Sequence, residues 1–174
     1  MKQLITILIL TLVGLSVSTA QTTLKMGDKA PLFIGKDQDG KTVSLKKLCG
    51  DNKNVLLYFY PKDNTPGCTK EACGFRDRLG GLQKDNVEVI GVSFDSAESH
   101  KQFIADNKLN FRLLADPDGK IIDLYDVRVV GRKMARRVSF LIGLDGKIVH
   151  VTDSGDPDKH FNEMKDAIAG LKKK

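Results

Sequence analysis

Two apolar runs with a helix-like segment between them constrain the fold of this chain most strongly. Residues 55–60 and 87–94 are rich in Val, Ile, Leu and aromatic residues, a composition typical of buried strands. Between them, residues 66–79 have helical spacing, and Gly80-Gly81 stops the pattern. The sequence therefore predicts a strand, a helix and a second strand in this order, with both strands buried on two faces.

The flanking segments extend this unit to an α/β fold with a mixed sheet. Asp39-Gly40 and Leu144-Asp145-Gly146 are turn sequences between short apolar segments, so each predicts a hairpin. The elements predicted on either side of the central unit are hairpin strands at 31–34 and 41–44, a helix from about 97 to 107, an apolar segment at 111–114, a short helix ending near Tyr125, hairpin strands at 138–142 and 147–151, and an amphipathic helix at 157–171. No repeat or linker divides residues 21–174, which predicts one domain.

The first twenty residues have the pattern of a secretory signal peptide. Lys2 precedes an apolar stretch at 4–15, and Ser18 and Ala20 are small residues that suit a cleavage site. We expect cleavage after Ala20 and export, in a bacterium to the periplasm, without a lipid anchor because Gln21 is not a cysteine. The alternative is an uncleaved membrane anchor, but the apolar stretch is shorter than the ~20 residues that a bilayer span needs.

Charge and cysteine content narrow the classes of function. The net charge is +6, and basic residues are interspersed with acidic ones except at Lys172-Lys173-Lys174, so we expect no nucleic-acid partner. The three cysteines are an odd number, so at least one is free or paired transiently. Cys68 and Cys73 are close in sequence, whereas Cys49 is separate. A disulfide that closes so short a loop stabilises a fold little, which favours a chemical role for the pair.

Cys68 lies where a helix should begin. Thr65 is a good N-cap, and Pro66 suits the first helical position because its missing N–H would be unpaired there. In the first turn, free backbone N–H groups and the positive end of the helix dipole favour a thiolate over a thiol. The N–H groups of Gly67 and Cys68, with the Thr65 hydroxyl, could also hold an oxygen that gains negative charge, as a peroxide does when its O–O bond breaks.

Cys73 is five positions further along the same predicted helix. Five residues rise and rotate so that the two Cα atoms lie roughly 8.6 Å apart. A disulfide tolerates at most about 7 Å, so the helix must unwind locally before the two cysteines can bond. The alternative is that Cys73 is a small apolar helix residue. We interpret Cys49 as a bystander, with a second disulfide partner as its alternative role.

The segment around these two cysteines resembles a known protein family. Pro61-x-x-x-Thr65-x-x-Cys68 matches the active-site motif of the peroxiredoxins, which belong to the alkyl hydroperoxide reductase/thiol-specific antioxidant superfamily. The stretch from Tyr60 to Asp77 resembles their Q-type branch, the bacterioferritin comigratory proteins. The resemblance continues, in order, at residues 90–96, 114–119 and 137–142.

The resemblance implies a thioredoxin fold with an N-terminal hairpin, and a peroxidase that reduces hydrogen peroxide and organic hydroperoxides without metal or cofactor. It implies roles for five side chains: Cys68 as the peroxidatic cysteine, Cys73 as the resolving cysteine, Thr65 as a substrate-orienting hydroxyl, Arg137 as the guanidinium at the thiolate, and Pro61 as a shield. Arg136 would then face the other way as a surface charge. The implied partners are a peroxide and a thioredoxin-like reductant, and we expect a monomer or weak dimer.

Two other functions compete with this one. A disulfide oxidoreductase would share the fold, but its C-x-x-C spacing is absent. In a redox sensor, the same thiol would be oxidised stoichiometrically, without turnover, and the resulting disulfide would be passed to a specific partner. His100, His150 and His160 are too dispersed to indicate a catalytic pair or a metal site, so we expect surface or packing roles for them.

Overall fold

The computed structural model describes residues 21–79 and 86–171, and these form a mixed sheet flanked by helices. The predicted leader at 1–20, the Gly80-Gly81 helix stop and the terminal lysines lie outside the described residues. The elements are β1 (Ile34–Asp37), β2 (Thr42–Ser44), α1 (Leu45–Gly50), β3 (Asn54–Phe59), α2 (Pro66–Leu79), β4 (Val87–Ser93), α3 (Ala97–Asn107), β5 (Arg112–Ala115), α4 (Lys120–Leu124), β6 (Val138–Ile142), β7 (Ile148–Asp153) and α5 (Pro157–Leu171).

The sheet order explains why the central runs are so apolar. The seven strands follow the order β2-β1-β5-β4-β3-β6-β7, which places β3 and β4 in the interior. Every residue of β3 is buried. Because side chains alternate along a strand, Val55, Leu57 and Phe59 join one core, and Leu56 and Tyr58 join the other. The prediction that the 55–60 run is buried on two faces is confirmed.

The direction of the strands determines which segments meet at one edge of the sheet. Strands β3, β4 and β5 are parallel, and β6 is antiparallel to β3, with Phe59 opposite Val138. The residues that follow β3 and the residues that precede β6 therefore lie at the same edge of the sheet, where β3 ends and β6 begins. The start of α2 and Arg137 are brought together by this register, although they are far apart in sequence.

The predicted N-terminal hairpin is present, but its first strand was placed too early. Strand β1 starts at Ile34, not at Pro31, and continues to Asp37. The reason lies in the turn: one Asp37 carboxylate oxygen accepts the backbone N–H groups of Asp39 and Lys41, which extends the pairing up to the turn. Helix α1 was not predicted, because its six residues are too few to give a helical period.

In the described parts of the chain, no helix combines the length and the apolar character needed to cross a membrane.

Candidate active site

Cys68 lies at the start of α2, beside a guanidinium from the segment that precedes β6. Its side chain is 1% exposed. The Nη2 of Arg137 is 3.5 Å from the Cys68 Sγ, and the Arg137 side chain is 9% exposed. A Cβ on Gly67 would come within 3.1 Å of the same Nη2. The glycine before the cysteine thus allows the guanidinium to approach the helix start closely.

The Arg137 guanidinium contacts a buried carboxyl group as well as the Cys68 thiol. Its Nη1 donates to Oε2 of Glu71, which is on α2 one turn after Cys68 and is fully buried. Burial raises the pKa of Glu71 to about 8, against the opposing effect of the Arg137 charge. One guanidinium therefore faces both a thiol and a carboxyl group in a site with little access to water.

His160 of α5 lies next to Glu71, with its Nδ1 3.5 Å from the Glu71 Oε1. Its Nδ1 lies 2.8 Å from the Ser139 Oγ, and its Nε2 lies 2.8 Å from the Ser154 carbonyl oxygen. Burial lowers the pKa of His160 to about 4, with a smaller contribution from Arg137 in the same direction. His160 is therefore a neutral, buried ring at neutral pH.

Asp63 fixes the loop between β3 and α2. Its carboxylate accepts hydrogen bonds from the Tyr60 and Ser99 hydroxyls, and it lies 2.8 Å from Nδ1 of His100. Burial opposes ionisation, but the hydrogen bonds from His100 and the two hydroxyls lower the pKa of Asp63. The loop that carries Pro61 and Thr65 is thereby tied to α3, and His100 has the packing role that its isolation in the sequence suggested.

The other predicted site residues lie at varying distances from this centre. Pro61 and Arg137 line a pocket of about 420 Å³, together with Val129, Met134 and Ser154. The Thr65 hydroxyl donates to the Lys62 carbonyl oxygen at 3.1 Å, in the turn before α2. Cys73 is half-buried, and its Sγ is 3.9 Å from the Asn107 Oδ1. The three cysteines are free thiols, and α2 is continuous between Cys68 and Cys73.

The geometry at Cys68 agrees with what comparisons with known proteins find. A profile of the AhpC/TSA family matches residues 26–151. The chain belongs to this family. It is 43% identical over 145 residues to Peroxiredoxin Bcp of Escherichia coli, and this match covers 80% of this chain and 92% of that protein. The AhpC/TSA chain is accordingly a peroxiredoxin-type peroxidase, and its resemblance to the bacterioferritin comigratory branch is confirmed.

Solved structures of this AhpC/TSA branch share the fold. Peroxidoxin BcpB of Mycobacterium tuberculosis superposes with a TM-score of 0.78 at 30% identity, over 85% of this chain and 98% of its own. The bacterioferritin comigratory protein of Xanthomonas campestris gives a TM-score of 0.74 at 25% identity, over 87% and 99%. The predicted thioredoxin-like fold is therefore confirmed.

Arg136 departs from the prediction. It was expected to be a surface charge, but its side chain is only 16% exposed. Its Nη1 donates to Asp153 at 2.6 Å, and its Nη2 donates to the Asp126 carbonyl oxygen. The alternation of side chains before β6 does point Arg136 away from Cys68, but toward a second set of partners rather than toward solvent.

Sequence reasoning missed Glu71 and His160 as part of the site. Glu71 carried a usable signal, since it lies three positions after Cys68 on the same helix and so on the same face. His160 carried none, because only the packing of α5 against α2 and β6 brings it close to Glu71. Within residues 21–79 and 86–171, no group of three or more His, Cys, Asp or Glu side chains could hold a metal ion.

From the raised pKa of Glu71 we predict how the free energy of unfolding depends on pH. Between its ordinary value of 4.5 and its folded value of about 8, folded Glu71 holds a proton that the unfolded chain has released. Its contribution to the free energy of unfolding therefore falls as pH rises through this window, by up to about 1.4 kcal/mol per pH unit. Glu71→Gln removes this dependence, so its stability relative to wild type should increase with pH in urea titrations.

Glu88→Gln is a matched control for this measurement. Glu88 also pairs with an arginine, Arg112, but its side chain is 24% exposed and it lies on β4 away from Cys68. Its stability profile should run parallel to that of wild type. Parallel profiles for Glu71→Gln as well would contradict a proton on Glu71.

Proposed function

We propose that the chain reduces hydrogen peroxide and organic hydroperoxides with Cys68 as the peroxidatic cysteine and Cys73 as the resolving cysteine. A thioredoxin-like dithiol protein would complete the cycle. The observation that carries the proposal is the position of Arg137, whose Nη2 lies 3.5 Å from the buried Cys68 Sγ at the start of a helix. The bacterioferritin comigratory protein of Xanthomonas campestris has alkyl peroxide reduction activity, which supports organic hydroperoxides as substrates.

The first step uses the charge of Arg137 and the start of α2. The Cys68 thiolate attacks one peroxide oxygen, the O–O bond breaks, and the sulfur becomes a sulfenic acid while an alcohol or water leaves. Arg137 and the N–H groups of Gly67 and Cys68 are donors that would stabilise the negative charge that the departing oxygen gains. Pro61 lines the adjacent pocket, where its ring would limit the access of water to the thiolate. Thr65 would orient the peroxide if its hydroxyl turned from Lys62 toward the substrate.

The second step requires α2 to open. The Cys73 thiol attacks the sulfenic sulfur, a disulfide forms and water leaves. With α2 intact, the Cα atoms five residues apart are separated by roughly 8.6 Å, which exceeds the span of a disulfide. Cys73 is partly exposed even with the helix intact. Opening of the helix would therefore also present the disulfide to an external dithiol.

We also propose that the chain is exported, because residues 1–20 have the charge, apolar stretch and small residues of a cleavable leader. N-terminal sequencing of the protein purified from its source tests this proposal directly. Gln21 is expected as the first residue, and an intact Met1 in the mature protein would overturn it. An exported enzyme would need a dithiol reductant outside the cytoplasm.

Variants of the cysteines test the peroxidase proposal. Cys68→Ser should lose peroxide consumption by at least about a hundredfold with a dithiol reductant, since the hydroxyl is not ionised near neutral pH. Cys49→Ser is the matched control. Cys49 lies on α1, its thiol is 3.8 Å from the Gly143 carbonyl oxygen, and burial raises its pKa, so its loss should leave turnover unchanged. An active Cys68→Ser variant would refute the assignment, and a stoichiometric reaction without turnover would favour the sensor.

A further inference from the structure

A buried oxygen of Glu71 has no hydrogen-bond partner. While Oε2 is bound by Arg137, Oε1 accepts no hydrogen bond in the described structure. The group that faces Oε1 is Nδ1 of His160, at 3.5 Å. Both side chains are fully buried. An ionised carboxylate oxygen without a donor is unfavourable in such a place, so the protonation of this pair needs an explanation.

The hydrogen bonds of His160 show which of its ring nitrogens carries a hydrogen. Nε2 faces the Ser154 carbonyl oxygen, which can only accept, so Nε2 carries a hydrogen. In the neutral ring Nδ1 is then an acceptor, and the Ser139 hydroxyl donates to it. A carboxylate would therefore face a ring nitrogen lone pair with no hydrogen between them. A proton on Glu71 removes this repulsion, and burial favours the proton there because it raises the pKa of Glu71 and lowers that of His160.

The charges around Glu71 favour the same distribution. Helix α2 contributes Cys68, the residue before β6 is Arg137, α5 contributes His160, and β3 contributes the buried Tyr58 hydroxyl, which has no hydrogen-bond partner in the described structure. Arg137 is the cation among these groups. One buried guanidinium can balance one negative charge, so a thiolate at Cys68 and a carboxylate at Glu71 compete for it.

We propose that Glu71 holds a proton while Cys68 is a thiolate and loses that proton when Cys68 is oxidised, so that one negative charge stays beside Arg137 throughout the first half of the cycle. Glu71 is then a positioning residue that compensates charge, and this inference rests on the proposed function. Because the coupling is reciprocal, an ionised Glu71 would make the Cys68 thiolate less favourable.

The proton balance of the first step follows from this arrangement. The thiolate sulfur bonds to one peroxide oxygen, the O–O bond breaks, and the sulfur is oxidised as the peroxide is reduced. The departing oxygen gains one proton, and Glu71 loses one. The total charge of the site stays the same, and no net proton is taken from the solution. Without an ionisable group at position 71, the same step must take up a proton from water.

Proton counting tests the proposal. We would add one equivalent of hydrogen peroxide to a Cys73→Ser background, which stops at the sulfenic acid, in weakly buffered solution near pH 7 with an indicator dye. Mass spectrometry verifies Cys68 oxidation, and ultraviolet absorbance verifies the starting thiolate. The Glu71→Gln variant should take up about one proton per peroxide, and the background protein should take up well under half of that. Equal uptake by the two proteins, with Cys68 oxidised in both, would overturn the inference.

Two further measurements make the result independent of the stability of Glu71→Gln. The Glu88→Gln variant carries the same substitution at an arginine-paired glutamate on β4, and it should match the background protein. In the Cys73→Ser background, the infrared difference between the sulfenic and the reduced protein should show the loss of a protonated carboxyl band. A reduced protein that lacks this band would overturn the inference even if Glu71→Gln does not fold. Failure of Cys68 to react with peroxide would instead refute the proposed function.

Discussion

The site depends on one buried guanidinium that serves two acids. Arg137 is almost enclosed, with one nitrogen toward the Cys68 sulfur and the other toward the Glu71 carboxyl group. It reaches this position because the register of β6 against β3 brings residue 137 to the edge where α2 starts. Gly67 leaves the space that its Nη2 occupies. Arg137 thus places a positive charge next to both the thiol and the carboxyl group.

Helix α2 has two requirements that conflict. Its first turn must be formed for Cys68 to meet the free N–H groups and Arg137, yet the proposed disulfide would require the turn between Cys68 and Cys73 to open. The packing around it is tight on one side: a Cβ on Gly74 would come within 2.5 Å of the Phe161 ring of α5. Cys73 itself is half-buried, so the segment that has to move ends at a position that the core does not enclose. The opening that the proposed disulfide requires would thus be a local event within an otherwise packed helix.

The sequence predicted those features of the fold that follow from local patterns. The apolar runs at 55–60 and 87–94 predicted the central strands, and Thr65-Pro66 predicted the helix start that carries Cys68. Strand β1 was misplaced because its end is determined by the Asp37 turn, and α1 was missed because six residues carry too little periodicity. These errors concern the periphery of the sheet and leave the position of the site unchanged.

The partners of the site residues were harder to predict than the residues themselves. The resemblance identified Arg137, but Arg136 was wrongly expected at the surface because its partners, Asp153 and the Asp126 carbonyl, come from distant segments. His160 approaches Glu71 through the packing of α5, which no local pattern encodes. Buried polar contacts between distant segments are set by tertiary structure, and a single sequence contains no direct signal for them.

A disulfide map tests most directly whether Cys68 is oxidised and whether Cys73 resolves it after α2 opens. Mass spectrometry after one equivalent of peroxide, followed by digestion without reductant, identifies the bonded pair. We expect a link between Cys68 and Cys73 within one chain, together with faster amide exchange in the turn between them than in the reduced protein. A link to Cys49, or a Cys68 sulfenic acid that persists with Cys73 free, would contradict this mechanism.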